Sequence, residues 1–356
     1  MIDTPWWDPD KFERKRPYLA DRMTVLEAIR GFFREQGFAE VETPALQVSP
    51  GLEPHLRAFA TELDEPFRDG PRARVYLHTS PEFAMKKLLS AGEQRIFQLA
   101  KCYRNGERSA THHPEFTMLE WYRAESDYRD LMKDCESLLR DCLTAVPAAL
   151  FERGDRSCDP TAPWQYLSVA NAFTQYANVD LLATTHDPHS PRTKSPDADA
   201  LREHANRIGV WTNENDVWED LFFRIFLEKI EPHLGIGAPT ILFDYPVSMA
   251  ALSRPKPTDA RLCERFELYV CGLELANAFS ELTDASEQRR RFEADQTLKQ
   301  SLGGDVYPID EDFMAALEHG IPESAGIALG VDRLVMLATG AAHIDDVLWA
   351  PVTKAS

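Results

Sequence analysis

Apolar residues early in the chain recur at helical spacing: Val25, Leu26, Ile29, Phe32 and Phe33 share one face of residues 23–36, and Gly37 supplies a stop. The period then changes to two over 38–43, predicting a strand that ends at Pro44, which has no N–H for a central ladder. A short strand is expected at 75–78. It leads into a helix start with Ser80 as N-cap and Pro81 at the first helical position, which puts Glu82 at the helix entrance. Two longer strands, 96–103 and 116–122, are joined by the polar loop 104–114, long for a hairpin and therefore a candidate for function. Helical patterns occupy 129–143, 164–176, 201–207 and 217–230, and the Pro-, Asp- and Ser-rich stretch 187–199 reads as an exposed insertion. Strands return at 240–244, 266–271 and 273–279 and helices at 285–302 and 311–319, before 325–330 runs into a helix over 331–338. Strands in two groups with helices between them predict an α+β fold around an antiparallel sheet rather than a doubly wound parallel one.

The 356 residues suffice for a substantial core, and with 44% hydrophobic and 27% charged residues the composition is that of a globular protein. No apolar stretch approaches the roughly 20 residues that span a bilayer, and the start lacks the basic and apolar regions of a signal peptide, so a cytoplasmic location and no membrane partner are expected. The six cysteines have no C-x-x-C spacing and are expected to be reduced and mostly buried. A formal charge of −19 opposes a polyanion such as tRNA unless a local basic patch overcomes it.

Neither G-x-x-x-x-G-K-[ST] nor G-x-G-x-x-G occurs, so a nucleotide would have to be held by side chains. Arg104, at the corner of a strand and the polar loop, is placed to fork onto a phosphate and a carboxylate together, and Arg333 falls in the first turn of a helix, whose positive end favours phosphate. Glu267, Glu274 and Glu281 interrupt an otherwise apolar stretch and are costly to bury without cations. Two readings stay open for them: Glu267 and Glu274 on neighbouring strands hold Mg²⁺ beside a phosphate, or the three mark an exposed sheet face.

Together these residues resemble a known family. Thr43-Pro44 after Glu40-Val41-Glu42 is similar to motif 1 of the class II aminoacyl-tRNA synthetases. Tyr103-Arg104-Asn105 through His113-Pro114-Glu115-Phe116 to Tyr122 is similar to motif 2, and Gly326 to Arg333 to motif 3. Ser80-Pro81-Glu82-Phe83 with Lys86-Lys87-Leu88, and Glu274 through Asp284, resemble the lysine-specific subgroup. Within it the likeness is to the paralogues that attach (R)-β-lysine to elongation factor P. Motif 1 comes too early for an anticodon-binding domain to precede it, Ser80 stands where the synthetases have alanine, and Ala328 where they have glycine. The resemblance implies one class II synthetase-like catalytic domain over 1–356, an antiparallel sheet flanked by helices, with a mostly helical insertion at about 145–238, and a homodimer built through motif 1.

It also implies roles, position by position. Arg104 and Arg333 are the catalytic arginines on the ATP phosphates, Arg104 also touching the substrate carboxylate. Asn105, Gly106, Glu107, His113, Phe116, Leu268 and Gly330 belong to the ATP site, and Glu267 and Glu274 bind Mg²⁺. Ser80, Pro81, Glu82, Tyr122, Glu274, Asn277, Glu281, Gly326 and Ala328 surround (R)-β-lysine or lysine, with Glu82 near the backbone-type amine and Glu281 near the side-chain amine. The family has Glu after Arg-Asn and Asn before Pro-Glu-Phe, whereas this chain has Gly106 and His113, so adenine contacts are expected to pass to Glu107. Two other functions fit the same motifs: a truncated lysyl-tRNA synthetase that charges tRNA, and an inactive homologue that senses an amino acid.

Overall fold

The computed structural model describes residues 5–64, 72–188 and 195–353. Its strands, in chain order, are β1 (Ala39–Glu40), β2 (Leu46–Gln47), β3 (Phe59–Leu63), β4 (Ala73–Leu77), β5 (Arg95–Tyr103), β6 (Glu115–Ala124), β7 (Phe151–Arg153), β8 (Arg156–Cys158), β9 (Gln165–Ser168), β10 (Thr240–Pro246), β11 (Leu262–Val270), β12 (Leu273–Ser280) and β13 (Ser324–Gly330). The α-helices are α1 (Pro9–Glu35), α2 (Glu82–Ser90), α3 (Tyr128–Thr144), α4 (Val169–Ala172), α5 (Ala198–Arg207), α6 (Trp218–Ile225), α7 (Ala285–Ser301), α8 (Glu311–His319) and α9 (Val331–Thr339).

The principal sheet runs β1-β5-β6-β13-β12-β11-β10-β9. Its six central strands are antiparallel, while β1 and β9 join the two edges in parallel. This is the α+β fold expected. The register explains its two faces. Phe97, Trp121, Ile327, Ala278 and Phe266 follow one another across five strands and are buried together in the main core, against α1, α3 and α9. One residue along each strand the side chains emerge on the opposite face, where the row reads Gln98, Glu120, Ala328, Asn277 and Glu267. A second core joins residues of the segment from Val169 to Leu234 to Leu242, Tyr245, Cys263 and Tyr269 of β10 and β11.

Several boundaries differ from expectation. The helix over 23–36 starts at Pro9, capped by Asp8, because Lys15, Leu19 and Arg22 extend its buried stripe backwards past Pro17. The strand expected at 38–43 shrinks to β1, whose residues are exposed on the sheet edge. Residues 165–168, expected to be helical, form edge strand β9 beside β10, and the helix begins only after Ser168, whose hydroxyl accepts the Asn171 N–H. Of the stretch 187–199, residues 189–194 lie outside the described residues, and α5 starts within it at Ala198. Helix α2 begins one residue later than expected, at Glu82, with Pro81 in the cap position and the Ser80 hydroxyl accepting the Glu82 N–H at 3.1 Å. All six cysteines are buried and free.

One buried network ties α1 to the catalytic face. Arg22 donates to Asp332 at 2.5 Å, to the Thr117 hydroxyl at 3.0 Å and to the Val347 carbonyl at 3.2 Å, while Asp332 also accepts the Thr117 N–H at 2.8 Å. Asp332 is 2% exposed, so Arg22 neutralises a charge that water does not reach. The first turn of α9 is thereby fixed next to Arg333.

Candidate active site

The polar face of the sheet floors a cavity of about 370 Å³, walled by α2, α7 and the loop after β5. Arg104, Glu107, His113, Phe116, Gly330, Arg333, Ser80, Glu82, Tyr122, Glu274, Asn277, Gly326 and Ala328 all line it. Along β13, Gly326 and Gly330 mark two regions, roughly 13 Å apart at 3.3 Å per residue.

The region around Gly326 is acidic. Glu120 accepts the Ser80 hydroxyl at 2.5 Å and the Tyr122 hydroxyl at 3.1 Å, and burial together with Glu82 pushes its carboxyl up to about 8. Glu281 lies beneath Gly326 and is 2% exposed. Burial pushes its carboxyl up to about 8 as well, although the Lys86 ammonium pulls the other way. Lys86 bridges Glu82, at 2.5 Å, and Glu281, and lies 5.1 Å from the Phe279 ring centre. Burial works against its charge, but Glu281 and Glu82 outweigh that and hold it above the ordinary lysine value. Two carboxyls thus share one ammonium and a third, Glu120, has only hydroxyl donors, which leaves an excess of acceptors for a cationic ligand. Gly326 is required here because a Cβ would overlap both the Tyr122 ring and a Glu281 oxygen.

The region around Gly330 is cationic. Arg104 has a buried Nε without a partner, and its guanidinium lies 5.1 Å from the centre of the Phe116 ring. Arg333 donates to the Glu274 carbonyl at 2.7 Å, to the Thr111 carbonyl at 3.3 Å and to His112 Nε2 at 2.6 Å. That contact requires a neutral His112 imidazole, and burial and Arg333 hold its value low. His113 is fixed from both sides: Nε2 accepts the Val352 N–H at 3.0 Å and Nδ1 meets the Glu115 carbonyl at 2.5 Å. Glu107 lies 3.9 Å from Arg104.

Glu274 reaches the cavity from β12, next to the Glu267 of β11. Burial and then Glu267 push the Glu274 carboxyl up to about 7, against Arg333, Arg265 and Arg104. Glu267 is engaged by Arg265 at 2.7 Å and by the Tyr269 hydroxyl at 2.6 Å. Glu274, driven toward its neutral form by burial and then by Glu267, suits a divalent cation that also takes phosphate oxygens, whereas both Glu267 oxygens are engaged by Arg265 and Tyr269.

Not every residue singled out in the sequence reaches the cavity: Glu267 and Glu281 are buried and outside its lining, Glu281 lying beneath Gly326. Asn105 and Gly106 are exposed and outside its lining, Gly106 forming a turn with φ of 89°. The Leu268 side chain is in the main core on the far face of the sheet, so only its backbone faces the site. Pro81 caps α2 without lining the cavity. Conversely, Glu120, Lys86, His112 and Arg265 carry no assigned role in the sequence reading and prove central.

The sequence pattern of tRNA synthetases class II (D, K and N) matches residues 7–354. The chain belongs to this family. Among similar curated proteins, the elongation factor P–(R)-β-lysine ligase of Photorhabdus laumondii is 41% identical over the whole of both chains. Those of Proteus mirabilis and Klebsiella pneumoniae are 40% identical over 95% of both chains and 39% identical over 100% of both. The class II synthetase family accords with the antiparallel centre of the principal sheet.

Proposed function

We propose that the chain activates (R)-β-lysine, or lysine, with ATP as an acyl-adenylate and transfers the acyl group to a lysine side chain of elongation factor P. The observation that carries this reading is the polarity of one cavity: Glu82 and Glu120 line it in the region of Gly326, with Glu281 buried beneath that glycine, and Arg104 and Arg333 line it in the region of Gly330. A substrate with two amines and one carboxylate fits that gradient, its amines toward the carboxyls and its carboxylate toward the arginines.

In this reading the substrate carboxylate attacks the ATP α-phosphorus in line, releasing pyrophosphate. Arg104, with its Nε free, steadies the α-phosphate and the carboxylate together. Arg333, held by His112 and two backbone carbonyls, supplies charge for the remaining phosphates without having to reorganise. Glu267 and Glu274 would hold Mg²⁺, which neutralises phosphate charge when bound. No side chain acts as a nucleophile, and positioning supplies the rest. A homodimer through motif 1, a cytoplasmic location and an acceptor other than tRNA belong to the same proposal; the charge of −19 favours the protein acceptor.

The test is to incubate the protein with ATP, Mg²⁺ and each lysine isomer, together with elongation factor P or tRNA, and to weigh the products. A mass gain of one lysyl group on elongation factor P is expected. A gain on tRNA alone would replace the proposal with a synthetase.

A further inference from the structure

We propose that the cavity has a second arm, between the loop over residues 50–56 and α7, that admits the acceptor's lysine side chain and delivers its ammonium to Glu53, which removes the proton before attack. This inference rests on the function proposed for the site.

Gln288, Phe292 and Asp295, three positions on one side of α7, face Leu52, Glu53 and Leu56 across the cavity. The loop wall is pinned. Lys299 donates to the carbonyls of Glu53 at 3.1 Å and Leu56 at 2.6 Å, Tyr307 accepts the Ala58 N–H at 2.8 Å, and Thr79 donates its hydroxyl to Pro50 at 2.7 Å. Within this held frame two polar atoms are left over. Glu53 Oε2 and Gln288 Nε2 are both buried without a partner, and Gln288 is only 1% exposed. The Glu53 oxygen, an acceptor inside a walled arm, marks a place for a donor ligand, whereas Gln288 Nε2 is itself a donor and would need an acceptor atom. Gly51 packs against the same carboxyl: a Cβ there would come within 2.6 Å of Glu53 Oε2 and 2.9 Å of the Thr79 hydroxyl.

The charges around Glu53 fix what the ligand is. Glu82 from α2, Arg104 from the end of β5, and Lys299 and Asp295 from α7 all act on it or are acted on by it. Burial, then Glu82, raise the Glu53 carboxyl, and Arg104 and Lys299 oppose them; burial and Glu53 push Asp295 up to about 6. Arg104, Lys299 and Arg291 balance the charge of Glu53, Glu82 and Asp295, but Lys299 is spent on main-chain carbonyls and no side chain donates to Glu53 Oε2, so that oxygen is the acceptor left for an alkylammonium, while Phe292, Leu52 and Leu56 pack its methylene stem. Glu53 lines the same cavity as Glu82 of the amino-acid region and Arg104 of the phosphate region and feels the charge of both. The carboxyls assigned to the substrate amines leave Glu53 and Asp295 unused.

The step balances as follows. The acceptor ammonium gives one proton to the Glu53 carboxylate. The freed amine forms a C–N bond to the adenylate carbonyl carbon, the C–O bond to phosphate breaks with its electron pair going to AMP, and the second amine proton leaves with the departing phosphate.

The experiment compares wild type with Glu53→Gln in single-turnover transfer from preformed adenylate, using elongation factor P or hydroxylamine as the nucleophile. Hydroxylamine is already neutral and needs no base. Transfer to the protein should fall by on the order of 10²-fold in Glu53→Gln and rise with pH toward the range where lysine itself deprotonates, whereas hydroxylamine capture should change far less. An equal loss with both nucleophiles, or no loss with either, overturns the arm. Absence of adenylate in the wild type would instead refute the function on which the arm depends. Should Glu53→Gln not fold, Asp295→Asn decides: a several-fold higher KM for the acceptor protein supports the arm, and an unchanged KM overturns it.

Discussion

Raising the pH from 6 to 8 should tighten binding of a lysine-like diamine by about 50-fold. Glu120 and Glu281, both near Gly326, have carboxyls pushed up to about 8 by burial. At pH 6 Glu120, which has no cation of its own, is ionised to about 1% and at pH 8 to about half, and well below its value each pH unit is worth about 1.4 kcal/mol, or tenfold. An incoming ammonium needs an ionised partner, so binding releases a proton until the carboxyl is ionised beforehand. Since the two carboxyls repel, the first release dominates and the logarithm of affinity should rise with a slope near one. The same groups set a stability trend. Their values in the folded protein exceed the ordinary carboxyl value of 4.5, so their contribution is complete below that pH and is lost as pH rises through about 8. The ligand-free protein should lose melting temperature from pH 6 to 9, and a diamine should restore it. Titration calorimetry in two buffers of different ionisation enthalpy counts the protons: about one released at pH 6.5 and none well above 8. Affinity that stays flat with pH, with no proton released, would refute the reasoning.

Two substitutions test the other parts of the site. Arg104→Ala should lower pyrophosphate exchange by on the order of 10²–10³-fold, the usual loss for one preorganised donor; near wild-type exchange would remove Arg104 from the mechanism. Arg22→Met should cost about 3–5 kcal/mol in urea unfolding, because it leaves Asp332 buried without its cation, and a loss under 1 kcal/mol would show that the network carries little.

The sequence patterns made the long elements legible because one rule governs each. The buried face of α3 follows the helical period from end to end, and β5 and β6 are long, largely buried runs bounded by polar residues. Strand β9 was misread because Gln165–Ser168 runs directly into α4 with no Gly or Pro between, and only its partner β10 makes it a strand. The site was legible where a charge interrupts an apolar run, as at Glu267, Glu274 and Glu281. Glu120 gives the same signal, standing between Leu119 and Trp121 in a buried strand, and the same argument applied there would have found it. Lys86 gives no such signal, since a lysine at that helical position reads as surface until Glu281 is brought to it from a distant strand. Glu53 lies in an irregular loop with no period at all. Asn105 and Gly106 stand in the right motif, but the turn at Gly106 carries both away from the cavity.

The central claim is that a single cavity presents acid to two amines and base to a carboxylate joined to phosphate. Pyrophosphate exchange with (R)-β-lysine, α-lysine and norleucine, the last keeping the carbon chain but lacking the terminal amine, tests it most directly. The account predicts exchange with a diamine and a loss of at least about 10²-fold with norleucine, since a buried carboxyl would be left unpaired. Comparable exchange with norleucine would contradict it.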